Sequence, residues 1–133
     1  MLIEEYFARL EQTLASCSYV VQTTLNKEKR APHIGFVKGT IVFSQGIQLS
    51  IMEFVWTEPR LKKTKYRYHC QDATRKLLFR YDNAPHHQTR TFPHHKHIRT
   101  TTKGETIIAG SPPSIEALVD EIVDLIEQEA QDS

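Results

Sequence analysis

Between Arg80 and His97 the chain reads RYDNAPHHQTRTFPHHKH, which puts five histidines, two arginines, one lysine, one tyrosine and one aspartate within 18 residues. Imidazole titrates near neutral pH, so it can take a proton in one step and return it in the next. Two of His86, His87, His94, His95 and His97 would then act on RNA, one as general base on a 2′-hydroxyl and one as general acid on the 5′-oxygen leaving group. Arg80, Arg90, Lys96 and Arg99 would hold the scissile phosphate and stabilise charge growing on its oxygens. Tyr81 or Asp82 would orient an imidazole. This scheme needs no metal and no cofactor.

The same residues admit two other readings. His95 and His97 sit two apart, so on a strand they share a face, and His86 or His87 with Asp82 would complete a transition-metal shell. Against a metal, the neighbours are lysines and arginines, and Asp82 is the only acid from 73 to 104, although carboxylates usually orient or join histidine ligands. The plainest reading is a solvated polar loop with Asp82 and Asn83 in turn hydrogen bonds.

Charge supports an anionic ligand. The net charge is +1, yet residues 1–59, 60–103 and 104–133 carry about −1, +10 and −8, and six of the seven histidines lie in the middle third. Such segregation predicts a basic surface for a polyanion and a separate acidic element for a basic partner or for neutralising the basic run. Within RLKKTKYRYH, Lys62, Lys63, Lys65 and Arg67 are the candidate nucleic-acid contacts, joined by Arg90 and Arg99. Tyr66 and Tyr68 fall on the opposite side of a strand from Lys65, Arg67 and His69. We read the tyrosines as core, with base stacking as the alternative.

The elements that must position these residues follow from periodicity. Leu2, Ile3, Tyr6, Phe7, Leu10 and Leu14 are spaced by three and four and predict an amphipathic helix to about Cys17. From Ser18 the period is two, predicting a strand that ends in a charged turn over Lys27–Pro32. Ile34–Phe43 resumes as a strand in which Gly35 and Gly39 suggest bulges or close approach. After the turn SQG, Ile47, Leu49, Ile51 and Val55 alternate with Gln48, Ser50, Met52, Phe54 and Trp56, the best central strand. KYRYHC and KLLFRYD then flank the turn QDATR. SPPS opens a last helix, over about 112–130, with Ser111 or Ser114 as its cap, an apolar stripe from Ile115 to Ile126 and an acidic remaining face. The predicted fold is α+β: an antiparallel meander of about five or six strands with N-terminal and C-terminal helices packed on one face.

At 133 residues, 39% apolar and 25% charged, the chain reads as one domain spanning 1–133. Its apolar runs are too short to cross a membrane and its first residues are acidic where a secretory leader is basic. Cys17 and Cys70 are too few for a disulfide framework. A cytoplasmic protein is expected.

The blocks YRYH, QDA, FRYDNAPHH and FPHHKH, in order within residues 66–98, resemble the TumE family, toxin components of bacterial and archaeal type II toxin-antitoxin pairs. The resemblance implies an antitoxin encoded alongside, a helix-turn-helix protein, and a cellular target that the released toxin damages. It supplies no catalytic set, so the residues above rest on their chemistry. The expected function is a metal-independent endoribonuclease toxin acting on RNA. Two alternatives stay open, a noncatalytic nucleic-acid-binding module and a metal-dependent hydrolase or nucleotide-modifying toxin, as does a homodimer.

Overall fold

The computed structural model describes residues 1–83, 95–100, 104–109 and 112–132. The apolar spacing of the first residues becomes α1 (Ile3–Ala15), which buries Ile3, Tyr6, Phe7, Leu10 and Leu14 along one stripe. Glu5 reaches back to accept from the Leu2 backbone N–H at 3.0 Å, holding the first turn. Seven strands follow: β1 (Val20–Ala31), β2 (Ile34–Phe43), β3 (Gln48–Trp56), β4 (Lys62–Gln71), β5 (Leu77–Asp82), β6 (His95–Thr100) and β7 (Gly104–Ala109). The chain closes with α2 (Ile115–Asp132), whose first turn is capped by Ser114, its Oγ accepting from the Ala117 N–H at 3.1 Å.

Each strand pairs antiparallel with the next in chain order, β1 at one edge and β7 at the other. The architecture is the expected α+β meander with terminal helices. Among the described residues the sheet runs to seven strands, because β6 and β7 pair in turn beyond β5. The turn QDATR forms as predicted, with Asp72 Oδ1 accepting from the Thr74 and Lys76 N–H groups at 2.8 and 3.0 Å and Arg75 at φ 71°.

One local prediction fails. The charged stretch from Lys27 does not turn; β1 continues to Ala31 and the reversal shrinks to Pro32 and His33. Lys27 and Lys29 alternate toward α1, where they pair with Glu11 and Glu4. A charged edge strand is thus satisfied by the helix lying beside it.

Both helices cover the same side of the sheet. Val37, Ile41 and Phe43 of β2, Leu49, Ile51 and Val55 of β3, Tyr66, Tyr68 and Cys70 of β4, and Phe79 of β5 meet the stripes of α1 and α2 in one core. Tyr66 and Tyr68 are 1% and 0% exposed, so they are core and cannot stack a base. At Gly35 a Cβ would lie 2.5 Å from Ile3 Cγ1 and 2.7 Å from Phe7 Cζ, so its absence lets α1 settle on the sheet.

A carboxylate breaks the apolar alternation of β3 on the core side. Glu53 is fully buried; Oε1 accepts from the Tyr6 hydroxyl at 2.6 Å, and Oε2 accepts from the Tyr68 hydroxyl and lies 3.2 Å from the Lys63 ammonium. Lys63 also donates to the Pro113 carbonyl at 2.6 Å. The cluster therefore ties α1, β3, β4 and the approach to α2 together.

These groups predict an alkaline weakness. Burial, with Glu53 beside them, holds the Tyr6 and Tyr68 hydroxyls well above the ordinary tyrosine value of 10.0. Burial also pushes Tyr66 up to about 12, and the Cys70 thiol from its ordinary 9.0 up to about 12. All four keep in the fold a proton that the unfolded chain releases. Their stabilisation is complete below the unfolded values and is lost as pH rises through the folded ones. Urea midpoints should hold steady up to about pH 9 and then fall, each group contributing a slope of up to about 1.4 kcal/mol per pH unit. Tyr66→Phe should flatten the fall; a midpoint unchanged between about pH 9 and 11.5 contradicts the assignment.

Candidate functional site

No described helix lies on the other side of the sheet, called here the open face, and strand alternation decides which residues reach it. The register sets them in rows across the strands. One row runs Asn26, Lys38, Met52, Arg67, Asp82, His95 and Ala109 from β1 to β7; the next runs Thr24, Thr40, Ser50, His69, Arg80, His97 and Ile107. Directly opposed residues of an antiparallel pair stand about 5 Å apart at Cβ. Arg80 therefore lies between His69 and position 97, and Asp82 between Arg67 and position 95.

Arg80 and Asp82 are neighbours on one face of β5, with Arg80 Nε 3.2 Å from Asp82 Oδ2. Asp82 is only 4% exposed, so its carboxylate is held largely out of water beside the guanidinium. Asn83 closes the end of the hairpin: its Oδ1 accepts from the Tyr66 N–H at 3.0 Å and its Nδ2 donates to the Thr64 carbonyl at 3.1 Å. It thus takes up a turn-type role while Asp82 pairs with Arg80. Alongside lies a groove of about 650 Å³ lined by Asn26, Lys38, Thr40, Ser50, Arg67 and His69, among others. Its hydroxyls, amide and cations suit an anionic, hydrogen-bonding ligand.

The structure gathers some of the nominated residues and separates others. Arg80, Asp82, Lys62, Lys65 and Arg67 belong to the open face, and the register assigns positions 95, 97 and 99 to it as well. Two nominations are corrected. The Tyr81 hydroxyl donates to Glu121 Oε1 of α2 at 2.8 Å, so Tyr81 is on the helix side and cannot orient an imidazole on the other. Lys96 pairs in register with Tyr81. Lys63, its side chain 7% exposed, is the buried partner of Glu53 and is withdrawn from the nucleic-acid contacts. The cause is a bulge at Thr64, where Phe54 pairs with Lys65 but Val55 pairs with Lys63, reversing the alternation.

His86, His87, Arg90 and His94 lie outside the described residues. His69 is a candidate that sequence reasoning left out of the site. Its signal was present: it shares a strand face with Lys65 and Arg67, and the predicted hairpin brings it opposite Arg80. Among the described residues no three His, Cys, Asp or Glu side chains gather in a metal-binding group. Nor is any described helix long and apolar enough to cross a membrane.

Neither a curated protein nor a solved structure matches the chain. The model of one protein family, described as Toxin TumE, matches residues 8–130, nearly the whole length and far beyond the motif blocks of the middle region. On that match, extending from within α1 to within the last turn of α2, the chain belongs to the TumE toxin family.

Proposed function

We propose that this toxin is a metal-independent endoribonuclease whose reacting groups sit on the open sheet face. The observation that carries the reading is the register that sets Arg80 between His69 and His97, with Asp82 and His95 in the adjacent row. One imidazole takes the proton of an RNA 2′-hydroxyl, and the 2′-oxygen attacks phosphorus. The bond from phosphorus to the 5′-oxygen then breaks, with a second imidazole protonating that oxygen. The products are a 2′,3′-cyclic phosphate and a 5′-hydroxyl. Arg80 supplies a fixed cation to the phosphorane oxygens, and Asp82 sets the guanidinium's direction. Lys38, Lys65 and Arg67 hold flanking phosphates, whose contacts supply most sequence-independent affinity. A toxin family implies an antitoxin, and we place the antitoxin, a helix-turn-helix protein, over the same basic face.

The test is incubation of purified protein with RNA in EDTA. Cleavage that survives chelation and leaves cyclic phosphate ends is the expected result. Activity lost in EDTA and restored by zinc or manganese points instead to a metal-dependent hydrolase. Binding without cleavage in every buffer reduces the protein to a nucleic-acid-binding module.

A further inference from the structure

Phe36 and Phe54 face each other across β2 and β3 on the open side of the sheet, ring centroids 4.7 Å apart and planes inclined by 46°. Both are half-buried, and Trp56, the single tryptophan of the chain, follows on the same side of β3 at 45% exposure. No described helix covers them. Three large rings gathered on a water-facing surface cost hydration and mark a contact site.

Their surroundings define the ligand. Lys65 pairs in register with Phe54 and Lys62 with Trp56, while Lys38 and Arg67 occupy the adjacent row. The Arg30 guanidinium lies 6.0 and 5.9 Å from the Phe36 and Phe54 ring centroids. Of the acids near them, Glu58 beside Trp56 is paired with the Met1 ammonium at 2.8 Å, and Glu28 is paired with Arg30 at 2.8 Å. With both side chains more than half exposed, that pair is weak in water and releases the guanidinium readily. Flat apolar faces beside cations fit an anionic chain carrying flat rings. Unpaired nucleobases on a phosphate backbone have that chemistry, whereas a duplex hides its ring faces.

We propose that Phe36, Phe54 and Trp56 form a platform on which bases of a single-stranded RNA stack, the phosphates passing over Lys38 and Arg67 toward the row of His69, Arg80 and His97. The destination of this track, and its assignment to RNA, rest on the cleavage reading; the platform does not.

Trp56 is a built-in reporter. The titrant is a mixed-sequence RNA decamer, fully 2′-O-methylated so that no 2′-hydroxyl is left to attack and binding is read without turnover. Saturable quenching of Trp56 by the single strand is expected, with affinity at least about tenfold weaker for the blunt duplex of the same sequence, for polyphosphate and for an oligoglutamate peptide. Phe36→Ala and Phe54→Ala should each weaken binding by about 5- to 100-fold. Because a truncation could disturb the sheet, Phe54→Leu, which keeps apolar bulk, should weaken binding too, while Phe54→Tyr should restore it; thermal melts check the fold of each. Parent affinity in Phe54→Leu overturns the platform. Equal affinity for polyphosphate or oligoglutamate does the same, in favour of bare charge or an acidic protein partner. Tighter binding of the matching DNA decamer overturns the assignment to RNA. The two readings separate: failure to cleave unmodified RNA, with quenching and the Phe54→Leu loss intact, removes only the nuclease, whereas parent-rate cleavage by a Phe54→Leu variant with undiminished binding removes only the platform.

Discussion

Alanine at His69, His95 and His97, introduced singly, is expected to slow RNA cleavage by about 10²- to 10⁴-fold at two of the three positions, the loss of a general acid or base. Arg80→Ala should cost about 10²- to 10³-fold, the loss of one fixed donor to developing oxyanion charge. Lys96→Ala provides the contrast. It sits in the same short segment as His95 and His97, yet it pairs in register with Tyr81, so its removal should leave the rate within about threefold, far below the loss of an acid or base. Single-turnover rates at saturating enzyme separate these effects from binding. If all three histidine variants cleave like the parent while Lys96→Ala does not, the reacting groups belong elsewhere.

The second large effect concerns stability. Glu53→Ala removes the carboxylate that accepts from Tyr6 and Tyr68 and faces Lys63, leaving the ammonium of a lysine whose side chain is 7% exposed beside two hydroxyls without that acceptor. Breaking a buried pair from one side costs about 3–5 kcal/mol. In a domain of this size that lowers the melting temperature by roughly 10–20 °C. Glu53→Gln keeps an acceptor and should cost less. The double change Glu53→Leu with Lys63→Met removes both charges together and should recover much of the loss, since a well-packed apolar replacement for a buried ion pair is often neutral or better. Glu53→Ala melting within about 2 °C of the parent would show that the cluster contributes little.

Where local pattern and tertiary packing agree, the fold was legible. The helix stripes at Leu10 and Leu118, the alternation of Leu49 and Ile51 with Ser50 and Met52, and the Asp72 turn all appear as read. The end of β1 was not, because Lys27 and Lys29 look like turn residues until carboxylates of α1 are brought beside them. Lys63 was misassigned because simple alternation puts it with Lys65, and a one-residue bulge at Thr64 cannot be seen in composition. Tyr81 was included because closeness along the chain was taken for closeness in space. On a strand, adjacent residues serve opposite faces, so a dense linear cluster divides in two. His69 reached the site by the opposite route, distant along the chain and delivered by pairing. The platform phenylalanine and tryptophan of β3 were already in the non-core half of its alternation, but their meaning required Phe36 from β2.

Since α1 and α2 shelter only one surface, odd and even positions along a single strand answer to different demands. Ile51 and Val55 are constrained by volume, while Ser50, Met52 and Phe54 alternate away from that core. On the RNA reading proposed above, substitution can therefore retune recognition letter by letter without passing through an unfolded intermediate, on a surface that can diverge while the scaffold underneath stays the same.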